Sequence, residues 1–343
     1  MHRRFFYVAL ILLTAALLYW RNLQDPPQQM ATLGGMTMGT SYSITVPVDH
    51  AGVSLADTID RRLEQLEDIF STWRSESEIS RFNANRSTEW FDCSAELAHV
   101  VAASIRINRL TGGRFEVTLA PVIERWGFGK EEIDTPPSAE ELASLMQSAR
   151  TSLLETRTAP PAIRKQDPAT SINLSGIAKG YAVDAIAGLL EERGIAHFMV
   201  EIGGEVRTQG GNGRKPWRIA IARPQPGEPR AQTILEVGTA ALATSGGYHN
   251  SITLLERDYI HIIDPATGRP VRSQTASVTV IDEASTMRAD ALATALMVMP
   301  ADEAIRFADA NGIAAHLMLL EEPGRLVTRS SRAFLPWLQE PQR

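Results

Sequence analysis

Apolar residues return at helical spacing through Leu55, Ile59, Leu63, Leu66 and Phe70, which predicts a helix over 55–70 with Ser54 as its N-cap. A second run predicts a helix from Ala95 to Leu110, stopped by Thr111-Gly112-Gly113. The capping-box pattern from Ser138 to Glu141 opens a short helix that packs Leu142, Leu145 and Met146. Further helices are expected from Gly180 to about Arg193, ending at Gly194, from Asp290 to Met299, and from Asp302 to Ala310 before Asn311-Gly312.

Strands are read from alternation. Tyr42, Ile44 and Val46 alternate with polar residues in a half-buried strand within Met36–Val46, with Gly39 near its start. Arg114–Leu119 reads as a short strand or an extended loop. His197–Ile202 is a strand, Gly203-Gly204 a tight turn, and Val206 resumes the sheet. Trp217–Ala222 alternates strictly, as an antiparallel strand does. Ala243–Tyr248 reads as a small-residue turn. Tyr259–Asp264 is a strand running into the turn Pro265–Pro270, and Ser277–Ile281 is another. Strands in adjacent runs with helices interspersed give an α+β class, a mixed or antiparallel sheet core with flanking helices. No long linker interrupts Thr32 to Leu338, so 32–338 is expected to form one domain.

The N-terminus stands apart. His2, Arg3 and Arg4 precede a charge-free apolar run from Phe5 to Trp20, closed by Arg21. This is the pattern of an export signal. No A-x-A site follows it, and Tyr19 and Trp20 suit a membrane interface. The expected arrangement is an uncleaved signal anchor over 1–23, with a cytoplasmic N-terminus and the globular part on the periplasmic side of the inner membrane. The alternative is a cleaved signal and a free soluble protein. Residues 24–31 follow as a short linker.

Of the 343 residues, 44% are hydrophobic and 22% charged, a globular balance. The net charge of −6 and the lack of a basic block argue against nucleic acid as a partner. Cys93 is the only cysteine, which excludes an internal disulfide and Cys-rich metal sites.

The candidate chemistry centres on Asn173–Asp184 (NLSGIAKGYAVD). A strand-like entry feeds a Ser175-Gly176 turn, then Lys179 and a helix, a geometry that offers free N–H groups and a cation to an anion. A plain strand–turn–helix junction with a solvated lysine fits the same residues. Asp290 and Thr294 lie four apart, on one helical face, and supply hard oxygen ligands of the kind Mg²⁺ takes. The alternative is a carboxylate favoured by the helix dipole and a threonine bonded back to the preceding turn. His261 is a possible general base at a strand end, or a satisfied strand histidine. A strictly extended strand would point Asp264, three residues on, to the opposite face, but the Pro-containing turn can re-aim it. Trp73 can stack on a flat ring, whereas Trp126 and Trp217 are expected in packing roles.

Taken in order, these segments resemble one family. They are Met38-Gly39-Thr40, Ser71-Thr72-Trp73, Ser77–Asn83, Thr111–Glu116, Trp126–Gly129, Asn173–Asp184, Ile202-Gly203-Gly204, Thr244–Tyr248, His261–Pro270 and Ala289–Ala295. Together they resemble the ApbE-type FAD:protein FMN transferases. The resemblance implies an exported, Mg²⁺-dependent enzyme that cleaves FAD, attaches FMN through a phosphoester to a threonine or serine of an acceptor protein, and releases AMP. It implies an FAD site lined by Met38, Trp73, Arg114, Phe115, Glu116, Asn173, Lys179, His261 and Asp264. It further implies metal ligation by Asp290, Thr294 and a carbonyl at or near Gly176, with His261 accepting the proton of the attacking hydroxyl. FAD hydrolysis to FMN and AMP, or FAD binding without catalysis, would use the same residues. Three positions depart from the family habit: Asn173 and Glu116 stand where Asp is common, and Trp73 where Tyr is frequent.

Overall fold

The computed structural model describes residue 7 and residues 29–338 apart from 132, 214, 226–229, 248–250, 256 and 322–324. The expected anchor over 1–23, Tyr7 excepted, and residues 24–28 of the linker lie outside the described residues, as does Tyr248. Among the described residues no helix is long and apolar enough to cross a membrane.

The centre of the fold is an eight-stranded sheet. Its strands are β1 (Met30–Thr37), β2 (Thr40–Pro47), β3 (Phe198–Ile202), β4 (Glu205–Gln209), β5 (Ala240–Gly246), β6 (Thr275–Asp282), β7 (Ala314–Glu321) and β8 (Arg325–Ser330). Spatial order follows chain order, and every neighbouring pair is antiparallel. The helices are α1 (Val53–Phe70), α2 (Glu78–Ala84), α3 (Ala95–Leu110), α4 (Ala120–Arg125), α5 (Ala139–Leu145), α6 (Ala178–Glu192), α7 (Thr286–Val298) and α8 (Ala301–Ala310).

Both faces of the sheet are covered, so its central strands are apolar on both sides. In β7, Ala315 and Leu317 join the core shared with α1, α3, α6 and α7, while Ala314 and Met318 face the second core. That second core is closed by Trp217, Leu235 and Phe334, from the antiparallel hairpin Trp217–Ala222/Ala231–Val237 and the C-terminal turn Arg332–Leu338. A third cluster joins α4, α5 and the 252–263 segment around Trp126, which is 1% exposed and donates through Nε1 to the Gly268 carbonyl at 2.7 Å. Trp126 and Trp217 are therefore packing residues, as expected.

Several expectations are corrected. Met36–Val46 is a hairpin of β1 and β2, not one strand, and β1 begins at Met30, inside the expected linker. Its two-residue turn has φ +48° at Met38 and +72° at Gly39, as a type I′ turn requires. Gly52, not Ser54, caps α1. Ala240–Gly246 is a central strand rather than a turn, its small side chains allowing the alanine-rich α7 to pack against it. Arg114–Leu119 is loop, one of the two forms expected for it, and Ser77–Asn83, read only as a motif, falls in α2 with Ser77 as its cap. The predicted strand Tyr259–Asp264 is two pieces, Arg257–Ile260 and Ile263–Asp264, broken at His261.

Candidate active site

The polar site is built where α6 and α7 cross. Gly176, just before α6, lies so close to α7 that a Cβ there would sit 3.0 Å from Thr294 Oγ1. One turn on, Gly180 donates its N–H to Asp290 Oδ2 at 3.0 Å. A further turn along, Asp184 accepts from Thr286 N at 2.9 Å and from Met287 N and Ser285 Oγ at 3.0 Å each. The predicted start of α7 at Asp290 is thus corrected. The helix begins at Thr286, Asp290 lies a turn inside it, and its first amides are satisfied from α6.

The same crossing gathers oxygen donors of the kind a hard divalent cation takes. Asp290 is 2% exposed, and no hydrogen bond reaches its Oδ1 among the described residues. Thr294 Oγ1 meets Ser245 Oγ of β5 at 3.3 Å. The Gly180 N–H, which would close the first helical turn onto the Gly176 carbonyl, is committed to Asp290, leaving that carbonyl without its usual donor. One carboxylate, one hydroxyl and one carbonyl fit Mg²⁺, which keeps waters and substrate phosphates for its other positions. No cluster of three or more His, Cys, Asp or Glu that could hold a metal occurs among the described residues.

Lys179 stands beside this set. Its Nζ pairs with Glu205 Oε2 at 2.7 Å, with Glu205 2% exposed. Burial opposes the lysine's charge, but Glu205, Asp290 and Glu201 together hold its pKa above the ordinary value. Burial raises the Asp290 carboxyl, against the pull of Lys179 and the Gly180 N–H. The Lys179 stem runs under Gly203 of the β3–β4 turn, where a Cβ would lie 2.7 Å from Thr40 Cγ2 and 3.4 Å from Lys179 Cδ. Thr40, the residue after the Met38-Gly39 turn, thus lies on the same glycine as the lysine stem.

Met38 is half-buried. Its N–H, at 2.9 Å, and the Thr37 hydroxyl, at 3.0 Å, both reach Glu67 Oε1 of α1. Glu67 Oε2 in turn pairs with Arg74 at 2.7 Å, so Met38 and the neighbour of Trp73 belong to one network. Trp73 is 65% exposed, with its ring available for stacking. Asn173 donates its N–H to Val117 O at 2.8 Å, and its Oδ1 accepts from Ser175 N at 2.9 Å, shaping the turn into Gly176. Asp264 also shapes a turn, its carboxylate accepting from Ala266 N and Thr267 Oγ1. It lines a cavity of about 660 Å³ together with Trp126, Tyr259, Arg269, Val298 and Met299. His261 is half-buried, its ring edge-on to Phe128 at 6.4 Å.

Three of the expected FAD-lining residues are engaged by the protein itself. Phe115 is 3% exposed and lies beneath Gly176, where a Cβ would come 3.4 Å from its ring. Glu116 accepts from Thr118 N and Oγ1, Thr151 N and Oγ1, and Asn108 Nδ2, so both its oxygens tie α3 and the 151–153 turn to the 115–118 loop. Arg114 pairs with Glu303 of α8 at 3.1 Å. Sequence reasoning gives no site role to Ser245, a glycine neighbour outside any G-x-S-x-G, or to Asp184, the end of the Asn173–Asp184 stretch, and misses Glu205 and Glu67 altogether. Cys93 is half-buried beside the N-cap of α3, and burial pushes its thiol up to about 11, which makes it a poor nucleophile.

A family model described as the ApbE family matches residues 38–317. The FAD:protein FMN transferase of Vibrio cholerae is 41% identical over 332 residues, covering 95% of this chain and 98% of that protein. The protein of the same name from Haemophilus influenzae is 36% identical over 319 residues, covering 89% and 91%. Among solved structures, the flavin transferase ApbE from Vibrio cholerae superimposes with a TM-score of 0.82 at 39% identity, covering 91% of this chain and 100% of that one. The apo flavinyl transferase ApbE of Pseudomonas stutzeri gives 0.81 at 33% identity, covering 93% and 100%.

Proposed function

The chain belongs to the ApbE family, and from that premise we propose that it moves FMN from FAD to a threonine or serine hydroxyl of an acceptor protein, releasing AMP, with Mg²⁺ required. It is an enzyme of the FAD:protein FMN transferase type. The observation that carries the finer reading is the packing of Gly176, whose carbonyl lacks its usual helical donor, against Thr294, one turn from the Gly180–Asp290 contact and beside Lys179.

In this reading Asp290, Thr294 and the Gly176 carbonyl hold the cation, which neutralises charge on the diphosphate. Lys179, kept protonated by Glu205, sets a second positive charge against the same group. Trp73 offers its face to one of the flat rings of FAD. The cavity beside Asp264 has room for one half of the dinucleotide. The acceptor hydroxyl oxygen bonds to the phosphorus of the FMN half. The bond from that phosphorus to the bridging oxygen breaks, AMP leaves with that oxygen, and His261 takes the hydroxyl proton.

The test is incubation with FAD, Mg²⁺ and a threonine-bearing acceptor, followed by intact mass. An FMN-sized adduct with AMP release is the expected result. AMP without an adduct would establish hydrolysis instead, and bound FAD with neither product would overturn both. The apolar run before Arg21 supports anchorage in the inner membrane with the catalytic part on the periplasmic side. Full-length protein should then sediment with membranes, and recovery in the soluble fraction would count against the anchor.

A further inference from the structure

Steps of four from the turn before α6 into that helix are answered by steps of four back along α7. Gly176 meets Thr294, Gly180 meets Asp290, and Asp184 meets Thr286. The turn before α6 and the first two turns of that helix therefore share one register with the antiparallel α7. The first two pairs contain the proposed cation ligands. The third contains none, yet it has the most hydrogen bonds.

Asp184 satisfies the amides of Thr286 and Met287, two of the four N–H groups left free at the start of α7, and also takes the Ser285 hydroxyl. A cap normally comes from the residue preceding the helix, and Ser285 does cap Arg288 N in that way. Asp184 acts from another helix, so its bonds fix more than the end of α7. They fix where α7 stands along α6. Slipping or rotating α7 would break them and would carry Asp290 and Thr294 away from Gly176. The glycine contacts allow no compensating approach, because a Cβ at Gly180 would already lie 2.5 Å from Thr286 O.

We propose that Asp184 is a positioning residue for the cation site: it touches neither the cation nor FAD in this reading, but sets the α6–α7 register on which the ligand geometry depends. The inference rests on the metal reading given under the proposed function. Partners that orient ligands in this way commonly change metal affinity by about 10–100-fold when removed.

The test compares Asp184→Asn and Asp184→Ala with the parent by calorimetric Mg²⁺ titration of the full-length protein, alongside thermal unfolding and FAD kinetics. Ser331→Ala serves as a stability control, because Ser331 is buried and holds Ala315 N and Ile313 O far from the site in the chain. Weakening of Mg²⁺ binding by about tenfold or more is expected for Asp184→Asn. Its lost turnover should return at high Mg²⁺, with KM for FAD little changed and no such shift in Ser331→Ala. Unchanged Mg²⁺ affinity in a less stable Asp184→Asn would overturn the proposal and leave the metal site standing. A parent that binds no Mg²⁺ would overturn the metal reading and the proposal together. Asparagine keeps one acceptor oxygen, so the comparison survives a failure of the alanine variant to fold.

Discussion

Gly180 and Asp290 are joined by a 3.0 Å hydrogen bond from the glycine N–H to the carboxylate, and the two backbones are too close for any side chain at the glycine. A Cβ at 180 would lie 2.8 Å from both Asp290 Cβ and Met287 Cα. Gly180→Ala should therefore force α6 and α7 apart and cost about 1–3 kcal/mol of stability. Urea unfolding measures this directly. A variant as stable as its parent would mean that the helices separate without strain.

Lys179 and Glu205 can be taken apart in two steps. Lys179→Met should cost about 3–5 kcal/mol by leaving a buried carboxylate without its cation. Adding Glu205→Gln should restore much of that stability while turnover of FAD stays lost. Return of activity with stability in the double variant would reduce Lys179 to a structural role.

Replacing His261 with alanine should lower the transfer rate by about 10²–10⁴-fold, the usual contribution of a general base. FAD affinity, followed by flavin fluorescence, should barely move. Equal losses of binding and rate would assign His261 to substrate binding instead.

His316 governs a separate response to pH. It is 2% exposed, its Nδ1 lies 2.8 Å from Ser330 Oγ, and Nε2 has no partner among the described residues. Burial lowers its pKa below the ordinary histidine value. The unfolded chain thus protonates first as pH falls, so stability is full above about pH 6.5 and declines below it, toward the folded pKa. His316→Gln should flatten that part of a melting-temperature series between pH 5 and 8. An unchanged slope would assign the acid sensitivity elsewhere.

Local signals in the chain were legible where the stabilising groups are neighbours in sequence. The α3 boundaries, the Ser138 capping box and the Trp217–Ala222 strand all follow from adjacent residues. The start of α7 did not, because half of its cap comes from Asp184, 102 positions before Thr286. β5 escapes a sequence reading for a related reason. Its Ala-, Thr- and Ser-rich sequence lacks β-branched bulk, and only the helix packed on it makes small side chains the right ones. At the site, the sequence spacing indicated Asp290 and Thr294 as a pair. The inward commitment of Glu116 and Phe115 depends on partners that only folding brings near.

The turn at Asn173 separates shape from polarity. The backbone there needs one side-chain oxygen for the Ser175 N–H, and asparagine and aspartate supply it equally well. Exchanging one for the other keeps that bond and alters the second side-chain atom, from amide donor to carboxylate acceptor. Under the proposed reading, polarity at this position can change while the turn that leads into Gly176 keeps its form.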